Sequence, residues 1–304
     1  MLNNLLFRFI LLIAFILSKV TPIILRWIGC LLGTIIYYTA SKRREIGIKN
    51  LSLCFPEMSK KQKDNIIRKH FRYLVTAGLE YGLVFFGSKN KIKSMIKINN
   101  LPQLSKYYQK QPIILLAPHF IGLELGAARL SIEMDLCSIY SQQKNEYFSE
   151  KLKASRIRFM SDKGGMLYNR KEGLRSIIKH MKKTNTPFYY LPDQDFGEKD
   201  SIYVPFFNQQ SCSTVTTLAK LVKLTGAIVI PMATYRIDNH YEINFGNPLV
   251  YEDSETEYDN AIKMNKAIER MVLEQLEQYF WLHKRFKTQP GSRNKLYQLS
   301  TESK

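Results

Sequence analysis

Apolar positions are distributed unevenly along the chain: two dense blocks open it, and short apolar runs separated by polar stretches follow. From Leu5 to Leu17 the only charged residue is Arg8, and from Ile23 to Ala40 it is Arg26, with Ser18, Lys19 and Pro22 between them. Neither block is a clean run of the ~20 apolar residues a spanning helix needs. No small-residue cleavage site follows the first, as a signal peptide would require. Three placements fit. The second block crosses a bilayer with Arg26 snorkelling to the interface, both blocks lie in the interface as apolar helices, or the pair forms a buried hairpin. Helices of soluble proteins are rarely apolar all round, which favours membrane contact. Residues 1–40 are therefore expected to form a membrane-anchoring segment, distinct from residues 41–304.

Lys42, Arg43, Arg44 and Lys49 follow directly. Such a cluster marks the cytoplasmic flank of an apolar segment and suits an anionic lipid surface.

Beyond it, Ser59 and Gln62 form a capping-box pattern that opens a helix running toward Phe85. Pro112 to Ala117 (PIILLA) is short and fully apolar, as a buried strand is. Ile121 to Leu130 reads as helical, with Gly126, Ala127 and Ala128 permitting close packing. Leu136–Tyr140, Phe188–Leu191, Ala227–Tyr235 and Tyr241–Phe245 are further strands. Helices are expected near Ser213–Leu224, closing at Gly226, and over Glu257–Phe280. This alternation predicts an α/β domain with a mainly parallel central sheet flanked by helices. No repeat or flexible linker divides residues 41 to 290.

With 304 residues, 45% of them hydrophobic and 12% aromatic, the chain has material for a large core, which excludes disorder. The formal charge of +19 recruits acidic partners. Zinc-finger spacing and RNP-type aromatics are both missing, so nucleic acid is not supported. Cys30, Cys54, Cys137 and Cys212 are scattered without a C-x-x-C pair, which gives no metal cage and points to a reducing compartment.

On parallel sheets, ligands sit beyond the carboxyl ends of the strands, and both His119 and Asp193 fall at such places. Glu124 lies five residues after His119, and no other histidine has an acidic residue at that offset. A carboxylate on one ring nitrogen fixes the tautomer, so the other can take a proton from an alcohol attacking an acyl thioester. A structural histidine is the plain alternative. Pro192-Asp193-Gln194-Asp195 reads as a turn or, less readily, as a cation site. Arg156 and Arg158 stand two apart in the basic stretch Lys151 to Lys163, where helical geometry would make them diverge. A G-x-S-x-G elbow and a P-loop are both absent, and Cys137 and Cys212 read as inert core residues.

These residues carry a resemblance. The ordered blocks are His119-Phe-Ile-Gly-Leu-Glu124-Leu-Gly, Ser155-Arg156-Ile-Arg158, Asn169-Arg-Lys-Glu-Gly-Leu-Arg175, Tyr190-Leu-Pro-Asp193-Gln-Asp195-Phe-Gly197, Val204-Pro-Phe-Phe207 and Trp281-Leu-His-Lys-Arg-Phe-Lys287. Together they resemble the late acyltransferases of lipid A biosynthesis, the lauroyl and myristoyl transferases of Gram-negative bacteria. The resemblance implies a glycerolipid-acyltransferase-like fold on the cytoplasmic face of the inner membrane. It also implies an acyl donor, acyl carrier protein, and an acceptor hydroxyl on a Kdo-bearing lipid A precursor. His119 would be the base and Glu124 its orienting partner. Arg156, Arg158, Asp193 and Asp195 would support substrate binding, and no metal or other cofactor is implied. Ser155 departs from the family's usual Gly, and Asp162 to Gly165 is atypical.

Rivals remain. A glycerol-phosphate acyltransferase would need its F-P-E-G-T-R-like element downstream of the histidine, whereas Phe55-Pro56-Glu57-Met58 lies upstream. Transfer onto another glycolipid, and a silent basic protein of the membrane surface, are the other readings.

Overall fold

The two amino-terminal blocks become helices α1 (Leu2–Leu17) and α2 (Pro22–Thr39), the second opened by a proline whose missing N–H costs nothing in a first turn. The computed structural model describes residues 2–160, 165–293 and 295–297. Helix α3 (Ser41–Cys54) follows, and then α4 (Lys60–Glu80), which starts with the expected Ser59–Gln62 capping box. After α4 come two short helices, α5 (Gly82–Phe86) and α6 (Lys89–Met95).

The remaining elements alternate. Strands β1 (Ile96–Ile98) and β2 (Ile113–Leu116) flank α7 (Leu101–Ser105), and α8 (Leu123–Leu130) leads to β3 (Cys137–Tyr140). Helix α9 (Glu146–Ile157) precedes β4 (Met166–Asn169), and α10 (Leu174–Thr184) precedes β5 (Phe188–Tyr190). A hairpin of β6 (Ser201–Phe206) and β7 (Gln209–Val215) stands apart from the main sheet. Helix α11 (Thr217–Thr225) ends at Gly226, whose φ of 65° lies in the left-handed region glycine tolerates. Then come β8 (Ile228–Ile237), β9 (His240–Phe245), α12 (Glu257–Glu274), and a two-residue pair, β10 (Thr288–Gln289) with β11 (Ser292–Arg293).

Seven strands form one sheet in the order β1-β9-β8-β2-β5-β3-β4, and every pairing is parallel except β8 with β9. The α/β expectation therefore holds. The β6–β7 hairpin is a correction, because Ser213 to Val215 was expected to begin a helix and is strand. Helix α8 packs close on β8: a Cβ at Gly122 would meet the Thr234 carbonyl at 2.7 Å, and one at Gly126 would collide with the Thr234 hydroxyl.

Helix α2 packs along α4 through a stripe of small residues; a Cβ at Gly33 would come within 2.5 Å of the Arg72 Cα. Arg26 lies at the β8–β9 turn, 3.2 Å from the Asn239 side-chain oxygen and 3.8 Å from Asp238. Its charge thus lies at the protein surface beside the carboxylate of Asp238. The opposite faces of α1 and α2 expose Leu5, Phe9, Trp27, Leu31 and Ile35, with Trp27 75% exposed. An apolar face of this kind marks an interaction surface. By length and composition α2 could cross a membrane.

Candidate active site

Strands β2 and β5 are neighbours, with Leu116 paired to Tyr190. Each then runs through one residue and a proline, Ala117-Pro118 and Leu191-Pro192, before the polar side chain. His119 and Asp193 consequently lie three residues beyond the paired ends, side by side. Proline removes the next ladder donor and stops the strand, so both loops leave the sheet at one level.

The contact is two-pointed. The His119 backbone N–H donates to Asp193 Oδ2 at 2.9 Å, and its ring Nδ1 lies 2.7 Å from Oδ1. A carboxylate only accepts, so Nδ1 carries the proton and Nε2 is left with its lone pair. The His119 carbonyl accepts from Phe280 N at 2.9 Å, and Ile121 N donates to the Gln278 carbonyl at 3.0 Å. Ring and main chain are both held.

Burial alone would lower the His119 pKa; the charge and hydrogen bond of Asp193, together with the charge of Glu124, outweigh it and raise the value above 6.5. Asp193 is buried and would be pushed up, but His119 and the buried Arg285 hold it below the ordinary carboxylate range. Arg285 is fixed by bonds to the Ser213 carbonyl at 2.6 Å and the Thr214 hydroxyl at 3.3 Å. The Tyr279 hydroxyl is a further partner of Asp193.

The expected bond between Glu124 and His119 is not what forms. Helix α8 begins at Leu123 rather than Ile121, so Glu124 sits in its first turn, and Nδ1 of His119 is already taken by Asp193. Glu124 instead accepts from the Arg156 guanidinium through both carboxylate oxygens, one bond measuring 2.9 Å. Tyr81 joins this pair. Asp193, expected in a supporting place at the substrate, is the partner that holds the ring.

His119, Glu124 and Arg156 line a cavity of about 280 Å³. Leu123, Ala127, Leu136, Leu167 and Tyr189 supply an apolar wall. Two expected contributors lie elsewhere. Arg158 diverges from Arg156, as two positions on a helix must, and donates to the carbonyls of Val84 at 3.2 Å and Gly87 at 2.8 Å. Asp195 is buried and accepts from Thr288 N at 2.7 Å, Thr288 Oγ1 at 2.8 Å and Gly197 N at 3.0 Å. Its role is to pin the carboxyl-terminal segment to the loop after β5, because a buried carboxylate needs those donors.

Ser155 is accommodated through a hydroxyl bond to the Leu152 carbonyl at 2.8 Å, and residues 162–164 of the atypical stretch lie outside the described residues. All four cysteines are free, and burial pushes the thiols of Cys137 and Cys212 up to about 12 and about 11. They are core residues, not nucleophiles. Among the described residues no group of three His, Cys, Asp or Glu side chains is placed to hold a metal ion. Tyr279 and Gln278 carried no signal in the sequence. Arg285 lay inside the last of the recognisable blocks, Trp281 to Lys287, without being singled out.

A histidine held at a strand end, with one ring nitrogen left to accept a proton, on the lining of a partly apolar cavity, suits acyl transfer. The family model for bacterial lipid A biosynthesis acyltransferases matches residues 1–288, and the chain belongs to that family. It is 31% identical over 275 residues to a lipid A biosynthesis acyltransferase of Haemophilus influenzae, covering 89% of this chain and 86% of the relative. A lipid A biosynthesis lauroyltransferase of Escherichia coli is also 31% identical over 275 residues, covering 88% and 87%. A myristoyltransferase from the same bacterium is 27% identical over 272 residues, covering 85% and 80%.

Proposed function

We propose that this acyltransferase moves a fatty acyl chain from acyl carrier protein to a hydroxyl of a Kdo-bearing lipid A precursor, at the cytoplasmic face of the inner membrane. The observation that carries the chemistry is the two-point bond between His119 and Asp193, which leaves Nε2 of the ring as a base. The acceptor hydroxyl gives its proton to Nε2 as its oxygen attacks the thioester carbonyl. The imidazolium so formed is stabilised by Asp193 and by the nearby charge of Glu124. It returns the proton to the departing carrier thiol as the tetrahedral intermediate collapses. General-base assistance of this kind contributes about 10²- to 10⁴-fold.

Glu124 acts in this scheme through its charge, and Arg156 fixes where that charge stands. The acyl chain occupies the apolar part of the cavity, among Leu123, Ala127 and Leu136. A formal charge of +19 suits an acidic carrier and a phosphorylated acceptor. Residues 1–40 supply the membrane attachment and residues 41–304 the catalytic domain, with Lys42, Arg43 and Arg44 toward the cytoplasm.

The test incubates detergent-solubilised protein with acyl carrier proteins bearing different chains and a Kdo-bearing tetraacyl acceptor, followed by mass spectrometry. A gain of one acyl mass, lost in His119→Ala, is expected. Undiminished transfer by His119→Ala would overturn the mechanism, and no transfer from any carrier protein would overturn the choice of donor and acceptor.

A further inference from the structure

Helices α1, α5 and α9 enclose a second cleft of about 640 Å³, within the range of small-ligand sites. One wall is apolar, built from Leu11, Leu12 and Phe15 of α1 with Phe85 and Phe86 of α5. Arg8, Lys151 and Arg158 also line the cleft, and among the described residues no carboxylate does. Arg158 is committed to the carbonyls of Val84 and Gly87. Arg8 and Lys151 are exposed and sit 5.7 and 5.8 Å from the centre of the Tyr147 ring, converging on one aromatic without an acidic partner among the described residues.

We infer that this cleft holds one anionic glycerophospholipid of the bilayer, its phosphate between Arg8 and Lys151 and a chain along Leu12 and Phe15. Three observations select that occupant. Two unpaired cations at one mouth call for a phosphate-like charge. Leu12 and Phe15 are 54% and 45% exposed, so the apolar wall runs without a break into the lipid-facing surface of α1. A water-soluble anion would leave that wall uncovered. Finally, the cleft shares no lining residue with the catalytic cavity, and the Arg158 bonds tie α9 to α5 between them. A molecule seated here meets a set of residues distinct from those around His119, which separates this occupant from the acceptor. The inference therefore stands whether or not the proposed donor and acceptor are correct.

The test titrates the detergent-solubilised full chain with phosphatidylglycerol or phosphatidylcholine and counts bound lipids by native mass spectrometry. One saturable phosphatidylglycerol is expected, with phosphatidylcholine binding much more weakly. The double variant R8A/K151A should bind phosphatidylglycerol about 30-fold more weakly, from the usual worth of two basic residues near lipid phosphate. R8K/K151R should retain it, which guards against simple misfolding. K182A/K183A, with its exposed cations at the end of α10 and outside the cleft, should bind like the parent. Equal weakening in K182A/K183A would overturn the site in favour of diffuse attraction. Undiminished binding by R8A/K151A, or displacement of the bound lipid by a phosphorylated tetraacyl acceptor, would also overturn it.

Discussion

Arg156 and Glu124 grip each other through two parallel bonds that join the last turn of α9 to the first turn of α8. A fork matched to a carboxylate sets direction as well as distance, and a lysine ammonium cannot reproduce it. Arg156→Lys should lower kcat about 10- to 100-fold, the worth of one charge-assisted bond, while the melting temperature stays close to the parent. Steady-state kinetics with saturating donor would read this. Unchanged kcat would show that the clamp has no part in turnover.

In the proposed mechanism the His119–Asp193 pair sets the pH dependence. His119 must be neutral to act as base, and its pKa is raised above 6.5 despite burial. The rate should therefore rise with pH along a limb whose midpoint lies above 6.5. Asp193→Asn removes the charge that raises the ring and no longer selects the tautomer. Its limb should move to lower pH, and kcat should fall by ~10³- to 10⁴-fold, as for aspartates behind other catalytic histidines. A profile of kcat/KM against pH checks both. A limb that stays in place in Asp193→Asn would reassign the titrating group.

His70 offers a separate handle on stability. Its ring is fully buried, Nδ1 donates to the Glu277 carbonyl at 2.9 Å, and Nε2 has no partner among the described residues. Burial lowers its pKa to about 4, only partly opposed by that carbonyl. The unfolded chain binds this proton near 6.5 and the folded one near 4, so its contribution is complete above 6.5 and is lost as pH falls toward 4. Across that window the loss amounts to about 3 kcal/mol. Apparent melting temperature should drop over the same window, and His70→Asn, which keeps a donor for Glu277, should drop less. Parallel curves would remove His70 from the account.

Attachment to lipid should depend on the amino-terminal helices. Removing residues 1–40 takes away the exposed face of Trp27, Leu31 and Ile35 and should shift much of the protein from membrane pellet to supernatant. Full retention in the pellet would place the anchor elsewhere. Gly33→Leu, which prises α2 from α4, should lower stability by about 1–3 kcal/mol through overpacking, read as a fall in melting temperature.

Much of the fold was legible because the central strands are apolar throughout: Ile113 to Leu116 is wholly buried. The edge strands β1 and β4 were not legible, since an edge half open to solvent keeps residues such as Lys97 and Asn169 and breaks the apolar run. The β6–β7 hairpin escaped for a related reason: Ser-Cys-Ser-Thr-Val reads as a polar lead into α11. His119 was visible from its place at a strand end. Its partner was not, because sequence proximity pointed to Glu124. Only the insertion of β5 between β2 and β3 brings Asp193, seventy-four positions away, to the ring.

That insertion makes the dyad a matter of counting. Equal tethers of three residues, measured from one hydrogen-bonded rung, deliver His119 and Asp193 to the same height. A residue added to either tether would leave the sheet, both side chains and the cavity in being, yet put the ring and carboxylate out of step. In the proposed mechanism, loop length is as much a functional element as residue identity.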